Sequence, residues 1–550
     1  MTRVLGIEGT AWAASAALFD SAADDCFVET DPYQPESGGI HPREAAEHMR
    51  GAIPRVVETV LAHARETASD GECVDAVAFS RGPGLGPCLR IVATAARALA
   101  QRLDVPLVGV NHMVAHLEIG RHRSGFDDPV CLNASGANAH VLAYRNGRYR
   151  VVGETMDTGV GNAIDKFTRH LDWSHPGGPK VEEAAKEGEY VDLPYVVKGM
   201  DFSFSGIMSA AKGAVDDGVP VADVCFSLQE NIFGMLTEVA ERALSLTGSE
   251  ELVLGGGVGQ NARLREMLAT MCEERGAEFY APEPRFLRDN AGMIAVLGAT
   301  MYEAGDTLEI ADSRVLPDFR PDEVGVSWRA ENPPERRVDT TEVRGAEALV
   351  DIGPERVTKR RETKSYRHPA LDERLRAERT RSEARLTSDA RREGVSTPVV
   401  FDVDDREATL EFETVGAMDL RERLDESGVG DVGRSLGTLH RAGLVHGDPT
   451  PRNVRVGRST SDPPNGERGA ERPASDGDSD RTHLVDFGLG YYSEDVEDYA
   501  MDLHVFEQSL AGTADDADTL REAFEAAYRE TGDSAVVEQL REIEGRGRYQ

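Results

Sequence analysis

The sequence predicts a large α/β protein up to about residue 328, followed by a small α+β domain from about residue 342 to the end. Three observations predict this. Up to about residue 325, short β-like runs (VLGIEG, VDAVAFS, VPLVGV, ELVLGGG) alternate with helical stretches, the pattern of an α/β protein. Gly325 to Val343 is polar with a double Pro and reads as a linker, placed at 329–341. Beyond it the composition changes: Lys359 to Arg392 holds twelve Lys/Arg against six Asp/Glu. At 550 residues the chain also exceeds what one core supports.

Charge, cysteines and hydropathy bound the function classes. Asp and Glu outnumber Lys and Arg 98 to 61, for a net charge of −37, and the basic residues are seven Lys against fifty-four Arg. A carboxylate-rich, Lys-poor surface reads as adaptation to a halophilic cytoplasm and says little about partners. The apolar fraction is ordinary, which excludes a disordered acidic chain. The six cysteines form no C-x-x-C pair and read as buried residues of a reducing compartment. The first residues read as a strand and not as a signal peptide, and no apolar run approaches membrane length. The expectation is a cytoplasmic protein with no membrane partner.

In the larger, N-terminal domain a single pattern occurs twice. Val4 to Asp20 reads strand, Gly-rich turn, strand; Val130 to Thr155 repeats strand, SGAN turn, strand, then an N-G hairpin and a third strand. Such a duplication is how actin-like (ASKHA) two-lobe ATPases grip phosphate, and it is also compatible with two unrelated hairpins. ELVLGGGVGQNARLREML ends a buried strand in three Gly before a helix, where backbone approaches a ligand and the helix N-terminus favours anionic or polar groups. No G-K-[ST] follows, so it is not a Walker loop. With SGAN and HPGGPKVEEAA it gives three Gly turns able to line one cleft.

NHMVAHLEIG puts His112 and His116 four residues apart, on one face of a helix and within reach of one metal ion. In H-E-x-x-H proteases the residue after the first His is the base; here it is Met113. Asp289, in FLRDNAGMIA, either caps the apolar helix that follows or supplies a third ligand. Two His and a carboxylate leave positions open for substrate and suit ferrous iron or zinc.

NHMVAHLEIG, SGAN, DTGVGNAIDKFTR, HPGGPKVE, FSFSGI, GGGVGQNARLR and RFLRDNAGMIA together resemble the universal tRNA threonylcarbamoyladenosine synthase family, in its archaeal and eukaryotic branch, the catalytic subunit of the KEOPS complex. The resemblance covers roughly residues 1–328. It implies an actin-like fold, threonylcarbamoyl-adenylate as donor, and N6 of adenosine 37 as acceptor in tRNAs that read codons starting with A. It implies Fe(2+) or Zn(2+) on His112, His116 and Asp289. The adenylate would lie against the strand end and turn Asn133, Ala134, Ser135, Gly136, Ala137 and Asn138, with Asp165, Gly178 and Glu182 at the ribose and Asn261 at the base. In this branch a Tyr usually stands where Asn133 stands, as a further metal ligand; Asn133 would ligate weakly through its carbonyl oxygen. A mixed anhydride needs orientation and charge stabilisation, and a base beside the metal would invite its hydrolysis, so Met113 suits group transfer better than proteolysis.

In the smaller, C-terminal domain HGDPTPRN (His446 to Asn453) has the spacing of H-R-D-x-x-x-x-N, and LVDFGLG follows as D-F-G. In kinase logic Asp448 orients the acceptor hydroxyl while Asn453 and Asp486 hold magnesium. Val357-Thr358-Lys359 matches V-A-I-K better than Lys364 does, and Glu383 on the next helix is the expected partner of Lys359. G-x-G-x-x-G is missing, with GAEALVDIG from Gly345 in its place, and no A-P-E or ordinary activation segment follows D-F-G. These motifs, with K-x-x-x-x-K-x-YRHP-x-LD, RTRSEARL and EDYAMDLHVFE, resemble the small RIO-like Ser/Thr kinase of the same complex over roughly residues 342–550. That resemblance implies ATP and Mg(2+) here, ATP hydrolysis in support of tRNA modification, and two further KEOPS subunits as partners, one small and dimeric and one kinase-binding. Residues 457–480 are low-complexity and read as a disordered insertion. The Arg-rich run from Lys359 reads as RNA contact before solvated helix face, and the closing GRGRYQ as a basic tail.

Overall fold

The computed structural model describes residues 2–33, 41–68, 73–136, 138–145, 147–329, 342–457, 481–514 and 516–546. The insertion after Gly457, the linker after Arg329 and the last four residues lie outside these. The chain divides into two compact units, one of Met1–Val196 with Phe202–Glu335, the other of Val197–Asp201 with Arg336–Gln550.

The first unit is mixed α/β. Strands β1 (Arg3–Glu8), β2 (Ala13–Asp20), β3 (Asp25–Pro32), β4 (Ala76–Gly82) and β5 (Leu107–Asn111) form a sheet of order β3-β2-β1-β4-β5. β1 runs antiparallel to β2 and parallel to β4. Next along the chain come β6 (Val130–Ala134), β7 (Ala139–Arg145), β8 (Arg148–Glu154), the two-residue strands β9 (Val197–Lys198, in the segment assigned to the second unit) and β10 (Asp201–Phe202, where the assignment changes back), β11 (Glu251–Gly255) and β12 (Glu278–Tyr280). The second large sheet has order β12-β11-β6-β7-β8, with β6 antiparallel to β7 and parallel to β11. Each sheet is thus a three-stranded meander extended by two parallel strands on its first strand. The two repeats read in the sequence lead the two meanders.

The central strands β1, β2 and β4 of the first sheet are covered on both faces, so they are mostly apolar rather than alternating, whereas the edge strand β3 is polar and partly exposed. Leu5 and Ile7 join the core under the helices Pro42–Thr67 and Gly86–Leu103, while Val4 joins the core under His112–Ser124 and Ala291–Glu303. Strand periodicity therefore puts Glu8, in register with Val4, on the face of the histidine helix.

Arg329 belongs to the first unit and not to the linker. Its guanidinium sits 4.1 Å over the Tyr144 ring, 3.3 Å from Glu118 Oε1 and 2.9 Å from the Asp127 carbonyl. A buried carboxylate and an aromatic face hold the chain there, which polarity alone did not reveal.

In the second unit β13 (Glu342–Arg344), β14 (Ala348–Ile352), β15 (Arg356–Arg361), β16 (Val400–Asp404) and β17 (Thr409–Glu413) form an antiparallel sheet of order β13-β14-β15-β17-β16. The helix Pro369–Arg392 follows β15. A separate core gathers the helices Glu426–Arg441, Val496–Thr513 and Ala517–Thr531 around Leu436, Phe506, Phe524 and Tyr528. Among the described residues no helix is long and apolar enough to cross a membrane.

Candidate functional site

His112 is the first residue of its helix because Asn111 caps it, its Oδ1 accepting from the Met113 and Val114 amides at 2.9 and 3.1 Å. Helical spacing then sets the two imidazoles side by side, ring centres 5.0 Å apart. Asp289 Oδ1 lies 3.3 Å from His112 Nε2 and 3.2 Å from His116 Nε2. One atom from each of the three residues lies within 4.8 Å of the others. Asp289 is free to do this because the cap of the helix Ala291–Glu303 is Asn290, whose side chain accepts from the Met293 amide at 3.2 Å.

Sequence reasoning missed Glu8. It is fully buried, accepts from the Thr10 amide at 2.8 Å, and stands 3.2 Å from His112 Nδ1. Holding Nδ1 aims Nε2 at Asp289, the carboxylate–histidine arrangement behind many metal ligands. The available signal was an acidic residue inside an otherwise apolar strand.

The electrostatics favour a positive charge on His112 between the two carboxylates. Burial works against charge on His112, but the carboxylates of Glu8 and Asp289 outweigh it and push its pKa up to about 10. Burial and the neighbouring His112 push His116 down. Burial alone would raise Asp289; the two imidazoles hold it well below the carboxylate range instead. Two carboxylates facing two imidazoles accept either a proton or a metal ion, so the donor set fits a divalent cation.

Asn133 lies beside this cluster. A Cβ at Gly255 would meet His116 Cβ at 3.5 Å and Asn133 Oδ1 at 3.7 Å. Asn133 Oδ1 is buried with no hydrogen-bond partner, as are His116 Nδ1 and His140 Nε2; Asn133 and His140 are cross-strand partners. Burial pushes His140 down to about 3.

The Gly turns come together. Gly256 has φ +85°, and a Cβ there would stand 2.2 Å from the Ala134 carbonyl, so only glycine lets the GGG turn pass the end of β6. In the SGAN turn Ser135 Oγ donates to the Asn138 carbonyl at 2.9 Å and accepts from the Asn138 amide at 3.1 Å. The Ser135 and Gly136 carbonyls accept from the Gly161 and Asn162 amides at 3.2 and 2.9 Å. Ala137 lies outside the described residues. Asp165 accepts from the Gly177 amide at 2.8 Å and faces His175 at 3.1 Å, next to Gly178, the first residue of its helix. Glu182 accepts from the Ala262 amide at 2.9 Å, tying the HPGG turn to the helix after GGG. Asn261, expected at the base, caps that helix through Oδ1 and donates to Gln229 at 3.2 Å.

The second unit assembles its own set. Lys359 on β15 donates to Glu383 Oε1 and Oε2 at 2.8 and 3.1 Å and to Asp486 Oδ1 at 2.7 Å. Burial disfavours its charge, but Asp486 and Glu383 raise its pKa overall. The same pairing brings Asp486 down to about 2 against the effect of burial. The backbone amide of Lys364, by contrast, bonds Asp372 at 3.2 Å. Asn453 Nδ2 donates to the Asp448 carbonyl and to its Oδ2 at 2.9 and 3.0 Å. Asp502, missed in the sequence, aims this loop: it accepts from the His446 and Gly447 amides at 2.7 and 2.8 Å. Gly345 sits in the β13–β14 turn, its amide bonded to the Ala348 carbonyl at 2.9 Å.

The Arg-rich run is engaged within the unit: Arg376 bonds Asp372 and Arg381 bonds Asp405, each at 2.8 Å, and Arg379 bonds Glu347. These pairs favour a structural role over RNA contact for that stretch.

A mixed α/β unit with a two-histidine, one-carboxylate cluster beside Gly turns, followed by a unit with a buried Lys–Glu–Asp network, defines a protein of two units with two separate sites. A model of the family described as tRNA N6-adenosine threonylcarbamoyltransferase matches residues 25–296. The chain is 67% identical to a probable bifunctional tRNA threonylcarbamoyladenosine biosynthesis protein of Haloarcula marismortui, covering 100% of both. Proteins of the same name from Halobacterium salinarum (68% identical, 100% of this chain, 99% of that protein) and Methanosarcina acetivorans (45%, 100% and 99%) match equally completely. The chain belongs to this family of bifunctional tRNA threonylcarbamoyladenosine biosynthesis proteins. Among solved structures, HypF of T. kodakarensis gives a TM-score of 0.41 at 15% identity, over 56% of this chain and 49% of that one.

Proposed function

We propose that the first unit transfers the threonylcarbamoyl group from threonylcarbamoyl-adenylate to N6 of adenosine 37 of tRNA. N6 attacks the carbamoyl carbon, the new N–C bond forms, the anhydride C–O bond breaks, and AMP leaves while N6 loses a proton. His112, His116 and Asp289 would hold Fe(2+) or Zn(2+), with Asn133 a weak further ligand. When bound, the metal supplies positive charge that orients the anhydride and stabilises charge developing on it. Glu8 fixes the His112 tautomer. Ser135, Gly136, Ala137 and Asn138 cradle the adenylate, with Asp165, Gly178 and Glu182 at the ribose and Asn261 at the base. Two sheets of identical order support an actin-like fold for this unit. The observation that carries the reading is the convergence of the three ligands from positions 112, 116 and 289 in a chain of this family. No acidic side chain follows His112, which speaks against a metalloprotease.

We propose further that the second unit is a small protein-kinase-like ATPase. Lys359 contacts phosphate, Glu383 orients it, Asn453 and Asp486 hold Mg(2+), and Asp448 orients the acceptor. The protein would act in the cytoplasm with the small dimeric and kinase-binding KEOPS subunits. A signalling kinase is the competing reading, and phosphate transfer to many exogenous proteins without tRNA would favour it.

The test is mass spectrometry of tRNA nucleosides from cells lacking the chain, complemented with wild type, His112→Ala or Asp448→Ala. Loss of threonylcarbamoyladenosine, restored by wild type and by neither variant, is expected. Persistence of the nucleoside in the deletion refutes the transferase reading.

A further inference from the structure

In the second unit β15 carries two cations on one face, Lys359 and Arg361, two residues apart. Arg361 is only 3% exposed, so its charge must be met from within the protein. Its Nη2 donates to Glu383 Oε2 at 2.5 Å, and Nη1 donates to Thr380 Oγ1 at 3.3 Å, one turn earlier on the same helix. Nε stands 4.0 Å from Glu347 Oε2, in the turn that replaces a glycine-rich loop. On the remaining side lies D-F-G: a Cβ on Gly488 would stand 2.6 Å from Arg361 Nη2 and 3.1 Å from Asp486 Oδ1. Four elements therefore meet at one guanidinium: β15, the helix Pro369–Arg392, the β13–β14 turn and the D-F-G turn.

The two cations are not equivalent. The Lys359 ammonium is shared among Glu383 and Asp486, and an incoming phosphate would compete for it. The Arg361 guanidinium is planar, always charged, and bonded to the helix at two points, so it keeps Glu383 in place when Lys359 turns to a phosphate. There is also little chain to do this job in the usual way. Only Leu489 to Asp495 separate D-F-G from the helix Val496–Thr513, too few to carry an activation segment.

We propose that Arg361 is a positioning residue that holds the nucleotide site of the second unit assembled before ATP arrives and without any phosphorylated activation segment. This rests on the ATP reading of that unit. It makes Glu383 and the helix Pro369–Arg392 a fixed wall rather than a switch.

The test uses the full-length chain and the variants Arg361→Met, Arg361→Lys and Gly488→Ala, with Lys359→Met as the control for the ATP reading. Amide hydrogen exchange is followed across Pro369–Arg392 without nucleotide. Binding of a fluorescent ATP analogue and ATP turnover are measured beside it. Arg361→Met is expected to speed exchange in that helix and to raise KM for ATP about tenfold, equivalent to about 1.4 kcal/mol, with kcat changing less than about threefold. Arg361→Lys should recover some of the affinity. Gly488→Ala, which keeps every charge and displaces the guanidinium, should move both readouts the same way. Helix exchange and ATP affinity within about twofold of wild type in Arg361→Met overturn the proposal. If that variant loses protection throughout the unit, the same null result in Gly488→Ala overturns it. If wild type binds no nucleotide, the ATP reading fails, and the exchange measurement alone decides whether Arg361 fixes the helix.

Discussion

Both units bury carboxylates against cations, but the cations differ in kind. Around Asp289 the positive charge is borrowed: a proton on His112 or a metal ion between His112, His116 and Asp289. Around Glu383 it is built in, as Lys359 and Arg361, and a guanidinium does not give up its proton. The first cluster contains no fixed cation of its own; the second contains two. A site that must exchange its cation is made from imidazole and carboxylate, whereas a site that must hold its shape is made from arginine and lysine.

Four measurements would break or sharpen this contrast. The largest effect is expected for Asp289→Ala: threonylcarbamoyl transfer should fall by about a thousandfold or more and bound metal should disappear, because two imidazoles alone leave the ion underligated. ATP turnover by the second unit should stay within about twofold in the same protein; a parallel collapse would show that the two sites are not separate. Next, Lys359→Met should cut ATP turnover about a hundredfold and leave metal content, read by elemental analysis, at the wild-type value. Glu8→Gln should weaken metal binding about tenfold in competition with a chelator, since the amide still reaches His112 but no longer supplies charge. An unchanged metal affinity would reduce Glu8 to a packing residue. The smallest effect is expected for Asn261→Ala: loss of its cap should lower unfolding stability by about 1 kcal/mol, seen as a modest fall in Tm.

The features legible in the sequence are those whose partners are close along the chain. His112 and His116 declare themselves because four residues is about one turn of helix. The duplicated strand–turn–strand runs declare the two meanders, and HGDPTPRN and D-F-G are each recognisable because each motif lies within one short stretch of chain. Strand context favours Lys359 over Lys364, and Lys359 is the one that meets Glu383. The run of arginines after it reads like a surface for RNA, but Arg376 pairs with Asp372 on its own helix, and Glu347 and Asp405 come from elsewhere in the unit to pair with Arg379 and Arg381.

The sequence by itself determined the family, because local periodicity and short motifs are properties of neighbours, and the same motifs nominate the residues proposed for each site. Only the tertiary structure decided that Glu8 stands behind His112, that Asn290 and not Asp289 caps its helix, that Arg329 is anchored in the first unit, and that Arg361 joins Lys359 on Glu383. The physical reason is that a strand's alternation says which residues share a face, while what covers that face is set by packing between segments far apart along the chain.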